Sequence, residues 1–178
     1  IEGRLTFLWG IAMLIEFRVG NFRSFREEQV LSMVAAGRDR TLADNLIPCG
    51  TFELLKAAAL YGANASGKSN LVKAFEVMRR FVVTSATGMN VGERIPGMTP
   101  FRLANSGLLQ EACSFELEVL LDGSRYQYGF TAGETRVHEE WLTAYPPPHF
   151  RAQRWLERTV DRQTGTANWT CRGPLKGQ

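Results

Sequence analysis

The chain has 178 residues, 44% hydrophobic and 22% charged, which is enough to bury the core of one ordinary globular domain. Seventeen glycines, seven prolines and three cysteines exclude collagen-like, disulfide-scaffold and wholly disordered proteins. The formal net charge of +3 includes a basic segment at residues 146–178, which we interpret as a solvated surface, with nucleic-acid contact as the alternative.

The first twelve residues are predicted to be a leader or vector-derived segment, with Met13 as the natural start. Ile1-Glu2-Gly3-Arg4 resembles a processing-protease recognition sequence. The apolar run from Leu5 to Ile15 is only about 11 residues long, whereas a membrane-spanning helix needs about 20. We therefore expect no membrane association, and we place the domain at residues 13–178.

The cysteines indicate a reducing compartment. Cys49, Cys113 and Cys171 are far apart, odd in number and show neither C-x-x-C nor Cys/His spacing. We predict free thiols, no zinc site and a cytoplasmic location.

Alternation of apolar and charged residues predicts a half-buried strand from Leu14 to Gly20, with Ile15, Phe17 and Val19 facing inward. A turn at 21–25 and a second strand-like run at 26–35 follow. Residues 57–61 are apolar and precede Gly62, which is consistent with a buried strand and also with a helix end.

Further along, Leu71, Phe75, Met78 and Val82 form one predicted face of a helix over 69–83. Residues 84–110 are predicted to be an irregular or mobile functional loop. Asp122-Gly123-Ser124 predicts a hairpin between strands at 114–121 and 125–131. A strand through 140–143 and a second hairpin, from 153–160 and 167–171, complete the predicted elements.

Residues 62–69 read Gly-Ala-Asn-Ala-Ser-Gly-Lys-Ser and satisfy the phosphate-binding pattern G-x-x-x-x-G-K-[ST]. The two glycines permit backbone conformations in which successive N–H groups turn inward, and the helix that follows adds its positive dipole end. Lys68 is predicted to reach the β- and γ-phosphates of ATP, and the Ser69 hydroxyl to hold Mg²⁺. Nucleotide binding is therefore the main functional prediction.

Hydrolysis also needs carboxylates beside the phosphates. The candidate is Asp122 at the end of Leu117–Leu121, but a strand interrupted by glutamates and followed by Gly123 favours the hairpin. We therefore assign no catalytic carboxylate. His138-Glu139-Glu140 lacks metal-ligand spacing and is interpreted as a solvated edge.

Three stretches resemble one family: Met13–Phe17 with Asn21-Phe22-Arg23-Ser24-Phe25, then Ala59–Leu71, then Tyr126–Phe130 with Glu140-Trp141-Leu142. The sequence resembles the N-terminal half of an ATP-binding-cassette-type head of the SMC/RecF/OLD group. It is most similar to bacterial AAA-family ATP-binding proteins associated with abortive infection and phage defence. The resemblance implies an α/β P-loop NTPase fold, namely lobe I of an ABC-type head with a mixed sheet and an antiparallel β subdomain.

The resemblance also implies site residues and a partner. Arg23 and Ser24 would lie beside the nucleotide, and Asn64 takes the place of the family's loop asparagine, while Ala65 replaces its usual second glycine. The full set of implied nucleotide-binding residues is Arg23, Ser24, Gly62, Ala63, Asn64, Ala65, Ser66, Gly67, Lys68, Ser69 and Asn70. Such heads form a head-to-head homodimer around two Mg-ATP molecules, and DNA or an effector protein is a possible further partner.

Several family features are absent from the sequence: an L-S-x-G-[QE] signature, a hydrophobic strand ending in Asp-Glu, and a switch histidine. The glutamine that joins the lobes cannot be assigned among Gln110, Gln127, Gln153 and Gln163. The resemblance thus implies a domain truncated before its signature and Walker B motifs, with ATP hydrolysis in the full-length protein. Alternatives are a small P-loop phosphotransferase and a non-catalytic, nucleotide-gated interaction or DNA-binding module.

Overall fold

One helix packs on a face of an antiparallel seven-stranded sheet. The computed structural model describes residues 12–37, 41–88, 92–102, 112–161 and 164–176. The elements are β1 (Met13–Gly20), β2 (Gln29–Ser32), β3 (Leu46–Cys49), β4 (Phe52–Leu55), α1 (Lys68–Gly88), β5 (Cys113–Leu121), β6 (Ser124–Ala132), β7 (Val137–Tyr145), β8 (Gln153–Val160) and β9 (Ala167–Cys171). The large sheet has the order β2-β1-β5-β6-β7-β8-β9, and β3 and β4 form a separate hairpin.

Strand β1 confirms the alternating pattern and adds a bulge. Phe17 and Val19 are fully buried under α1. The bulge between Leu14 and Glu16 turns Ile15 to the opposite face of the sheet, where it packs with Leu54 of β4. The sheet is therefore covered by α1 on one face and, at the Met13 end, by the β3–β4 hairpin on the other.

The predicted hairpins are confirmed, with β5 and β6 joined by a two-residue turn. Asp122 and Gly123 both have positive φ, +49° and +74°, as a type I′ turn requires. Phe115 pairs with Phe130 across the two strands. Strand β7 is longer than residues 140–143, β8 and β9 match their predicted bounds, and β2 spans only four of residues 26–35.

The expected mixed sheet is not found, because every strand pair in the described ranges is antiparallel. The prediction of a strand or helix end at 57–61 is also wrong. These residues are exposed and irregular, with Leu60 52% and Tyr61 90% exposed. Ala57 is held by the Asn45 side chain through hydrogen bonds of 2.9 and 3.0 Å, and no described strand pairs with residues 57–61.

Helix α1 is confirmed but runs to Gly88, so residues 84–88 belong to it rather than to an irregular loop. Its buried centre is formed by Ala74, Val77, Met78 and Phe81, and Phe81 stacks on Phe130 with ring centroids 4.0 Å apart. Val82 is 54% exposed. Its assignment to the core face is wrong, because the four buried residues centre that face about a quarter turn away from it.

Candidate phosphate-binding site

The loop at residues 62–69 connects the exposed segment at residues 57–61 to α1, and it closes around the side chain of Lys68. The Lys68 ammonium donates to the carbonyl oxygens of Gly62, at 2.6 Å, and Ala63, at 2.7 Å. The amides of Asn70 and Leu71 donate to the Gly67 carbonyl at 2.8 and 3.0 Å and begin the helix. The loop therefore curls around the cation at the N-terminus of a 21-residue helix, an arrangement that favours a bound anion.

Two loop residues have a left-handed backbone conformation. Gly67 has φ +96°, and Ala65 has φ +63°. A Cβ on Gly62 would lie 2.8 Å from the Ser66 hydroxyl oxygen, so a side chain there would require that hydroxyl to rotate away. Gly67 therefore has the conformational role expected from the sequence, whereas Ala65 adopts a conformation that glycine adopts with less strain.

The turn after β1 packs directly against this loop. Phe22 and Phe25 exchange two backbone hydrogen bonds of 2.8 Å, which close the turn. The Phe25 ring lies so near Gly67 that a Cβ there would be 2.8 Å from Cε1. The side-chain amide of Asn70 donates a hydrogen bond to the Ser24 hydroxyl at 2.8 Å. Ser24 and Asn70 are thus brought together at the site, where each positions the other.

Arg23 belongs to the same turn, has φ +52° and lies 5.5 Å, by its guanidinium carbon, from the Phe22 ring centroid. Its Nε is buried and has no hydrogen-bond partner among the described residues. The structure places Arg23 next to Ser24 but shows no contact between its side chain and the loop. Its predicted contact with nucleotide therefore stays a prediction.

Asn21 holds the turn in place through hydrogen bonds to three other residues. Its side chain accepts from the Phe101 amide at 3.3 Å and donates to the Ala112 carbonyl at 3.4 Å. Its own carbonyl accepts from the Cys113 thiol at 3.0 Å, and burial raises the pKa of that thiol to about 12. The turn is therefore held by buried contacts on one side and presents Ser24 and Phe25 to the loop on the other.

Asn64 and Ser69 present polar side chains to solvent at the loop. In the described part of the chain neither side chain has a hydrogen-bond partner within the protein, so both are available to a ligand. The Ser69 hydroxyl, on the second residue of α1, is a hard oxygen donor of the kind Mg²⁺ takes together with phosphate oxygens and water. The donor chemistry therefore fits one protein ligand of a Mg²⁺ ion.

The carboxylate considered for Mg²⁺ is remote from this loop. Gly20, next to the turn that contacts the loop, pairs with Ser114 at one end of β5, whereas Asp122 follows its other end. At about 3.4 Å per residue, the distance along the strand from Ser114 to Asp122 is about 27 Å. The reading of Asp122 as a Mg²⁺ ligand is therefore wrong, and the hairpin reading is confirmed.

The other polar candidates also have structural roles. Glu140 accepts from the Tyr128 hydroxyl at 2.7 Å and lies 3.7 Å from Arg158. The strand that carries it, β7, lies between β6 and β8 and is not an edge, so the edge interpretation of His138-Glu139-Glu140 is wrong. Within the described ranges, no group of three or more His, Cys, Asp or Glu side chains is placed to hold a metal ion.

The glutamines considered as the link between lobes have other partners or lie elsewhere. Gln127 accepts from the Tyr145 hydroxyl on β7, and Gln153 accepts from the Trp155 indole. Gln110 and Gln163 lie outside the described residues, as do residues 1–11 of the predicted leader.

Sequence reasoning missed Phe25 as a contact of the loop. Phe25 and Gly67 are separated by 42 positions, and neither composition nor spacing links them. The available signal was Gly67 itself, because a glycine often marks a place where another group approaches the backbone closely.

A family model described as "AAA domain, putative AbiEii toxin, Type IV TA system" matches residues 57–162, which is more than half of the chain. The match includes the whole phosphate loop, helix α1 and strands β5 to β8. Neither the curated proteins nor the solved structures include a match to the chain. Among the described residues, no helix is both long and apolar enough to cross a membrane.

Proposed function

Because this chain belongs to the AAA-domain family of that description, we propose that it binds ATP with Mg²⁺ at the loop of residues 62–69. Membership of a AAA family indicates a nucleotide-binding domain. The observation that carries the proposal is the position of the Lys68 ammonium, 2.6 and 2.7 Å from the Gly62 and Ala63 carbonyls at the start of α1. A cation held at that point lies where a phosphate chain would meet the helix N-terminus.

Different residues around the loop would contact the phosphates, hold Mg²⁺ and position the loop. Backbone N–H groups of the loop and the Lys68 ammonium would bind the phosphates, and the Ser69 hydroxyl would be a ligand of Mg²⁺, which would supply positive charge to stabilise them. The Ser24 hydroxyl accepts a hydrogen bond of 2.8 Å from the Asn70 side-chain amide, and the Phe25 ring packs against Gly67. Arg23, in the same turn, supplies a guanidinium group for a phosphate or sugar contact.

Binding is tested with a fluorescent ATP analogue, measured with and without Mg²⁺. Lys68→Ala should reduce affinity at least tenfold, because hydrogen bonds to a charged group contribute about 1.5–3 kcal/mol. Lys73→Ala is the matched control, since Lys73 is an exposed lysine five residues further along α1, and this variant should leave affinity unchanged. Equal losses in the two variants would show that the loop is not the site.

We further propose that the catalytic complement lies in a second lobe that packs beside residues 57–61. Leu60 and Tyr61 are exposed, and so are Val72, Val82 and Val83 of α1. Within the described chain, the backbone of residues 58–61 forms no ladder with another strand. An extended apolar segment that leads into a phosphate loop is then free to join a sheet contributed by another part of the protein.

On this proposal, the chain binds ATP and hydrolyses it very slowly by itself. Hydrolysis in the complete protein would follow head-to-head pairing of two such domains, in a cytoplasmic ATPase that serves phage defence or a DNA transaction. A turnover of about 1–100 per second, typical of phosphoryl-transfer enzymes, by the 178-residue chain would contradict the missing-lobe proposal. Binding without turnover, with partner capture that depends on Lys68, would instead indicate a nucleotide-gated interaction module.

A further inference from the structure

A cavity of about 420 Å³ lies on the face of the sheet opposite to α1. In one cross-strand row, Glu116 pairs with Gly129, and Gly129 with Trp141. Their neighbours Phe115 and Phe130 pack toward α1, so this row faces the other way, because successive side chains on a strand alternate. The cavity is therefore separate from the phosphate loop and is not used by the proposed ATP chemistry.

The Trp141 indole lines this cavity. It occupies the space above Gly129, where a Cβ would lie 2.4 Å from Cζ2 and 2.6 Å from Cε2. Its Nε1 donates to the Glu116 carboxylate at 3.2 Å, which fixes the orientation of the ring. A half-buried indole held against a glycine presents its other face to the cavity, and a π face of tryptophan attracts cations.

Two carboxylates that line the cavity with this ring form no ion pair among the described residues. Glu157 pairs across the strands with Trp141, and Glu139 lies two residues before Trp141 on the same face of β7. Both side chains are exposed, and in the described part of the chain neither forms an ion pair. Arg154 and Arg158 also line the cavity, and Arg158 lies 3.7 Å from Glu140. Glu139 pairs with Thr159 and Glu157 with Trp141, so these two carboxylates are diagonal neighbours on this face.

The charged side chains on this face of the sheet also favour a basic ligand. The chain has a net charge of +3, but this face of β1 and β5–β8 carries five carboxylates against three guanidinium groups. They are Glu16, Glu116, Glu118, Glu139 and Glu157, with Arg18, Arg125 and Arg154. An acidic face on a basic chain is complementary to a basic partner.

We propose that this cavity binds an arginine side chain from a basic segment of a partner protein. A guanidinium group is planar, so it can stack on the Trp141 ring while its N–H groups reach the Glu139 and Glu157 carboxylates. A lysine ammonium offers a compact charge without that stacking surface. The cavity is thus an interaction site beyond the proposed ATP site, and it selects arginine over lysine.

The test uses a fluorescently labelled peptide of alternating arginine and serine, whose binding to the 178-residue chain is followed by anisotropy. A matched peptide carries citrulline, which has the shape of arginine without its charge, and another carries lysine. We expect the citrulline peptide to bind at least tenfold more weakly and the lysine peptide about threefold more weakly. Equal binding of the arginine and citrulline peptides would overturn the proposal.

Protein variants locate the contact. Glu139→Gln and Glu157→Gln should each weaken arginine-peptide binding about threefold to fivefold, as is typical of exposed ion pairs. Both residues are exposed, so circular dichroism should show an unchanged fold. Glu27→Gln is the control, because Glu27 is an exposed glutamate near the opposite edge of the sheet, before β2. A double Glu139→Gln, Glu157→Gln variant that binds like the parent would refute the site, as would displacement of the peptide by spermidine at equal charge concentration.

Discussion

Replacing Gly67 by alanine places a methyl group where the loop meets the turn after β1. The first penalty is the backbone conformation at φ +96°, since a left-handed non-glycine residue costs about 1–2 kcal/mol. The second is contact: the new Cβ would be 2.8 Å from Phe25 Cε1 and 3.4 Å from the Ser24 hydroxyl oxygen. Overpacking of this kind typically costs about 1–3 kcal/mol. The free energy of unfolding should therefore fall by about 2–5 kcal/mol.

Three further variants separate these contributions in urea unfolding: Gly50→Ala, Phe25→Leu, and the double variant Gly67→Ala, Phe25→Leu. Gly50→Ala serves as the control for the backbone alone, because Gly50 has φ +69° and a Cβ at that position would meet no atom within 4 Å. It should cost about 1–2 kcal/mol. Combining Gly67→Ala with Phe25→Leu should recover part of the contact penalty, so that the double variant is more stable than the sum of the single effects predicts.

Gly67→Ala and Gly50→Ala are also compared for binding of the ATP analogue. Gly67→Ala should weaken binding by more than its general destabilisation explains, because the methyl group displaces the loop itself, and Gly50→Ala should leave affinity unchanged. If Gly67→Ala cost no more stability than Gly50→Ala, or if its effect and that of Phe25→Leu were additive, Phe25 would not be what holds the loop.

Three other predictions concern single positions. Ala65→Gly should raise the free energy of unfolding by about 0.5–1 kcal/mol in thermal denaturation, because φ is +63° there and relief of that strain exceeds the added unfolded-state entropy; a lower stability would contradict this. Gly129→Ala should lower the free energy of unfolding by about 1–3 kcal/mol, measured in urea. The methyl group would meet Trp141 and would lie 2.9 Å from the Phe115 carbonyl oxygen. An unchanged urea midpoint would show that the indole moves aside freely. Burial raises the pKa of Glu118 above 4.5, so this residue stabilises the fold below that pH and loses its contribution as pH rises through the folded-state pKa. Glu118→Gln should therefore gain stability relative to the parent between acid and neutral pH, and equal pH profiles would exclude the effect.

The elements that sequence reasoning predicted correctly carry their signals locally. The Asp122-Gly123 turn supplies two residues that tolerate positive φ, and the register between β5 and β6 follows from it. The loop at 62–69 is specified in the same way, by glycines where the backbone must curl and by a lysine and a serine at fixed offsets. In both places short-range chemistry is sufficient, so a single sequence indicates the structure.

The errors arise where distant parts of the chain decide. Ile15 faces the β3–β4 hairpin because of a bulge that alternation alone does not show. The buried face of α1 is set by the aromatic rings of the sheet, among them Phe130, and this rotates Val82 out of the core. Phe25 and Gly67 meet only after β1 and α1 have packed together. These features depend on tertiary contacts, which override hydrophobic periodicity.

The most informative of these errors is the segment before the loop. Residues 57–61 have the composition of a buried strand, and Leu60 and Tyr61 would be expected inside a sheet, yet both are exposed, as are three valines of α1. Local composition and the described packing therefore disagree at the element that delivers the chain to the phosphates. The disagreement is resolved if further strands cover this surface, and the same strands would then supply the carboxylates that Asp122, at the far end of β5, cannot provide.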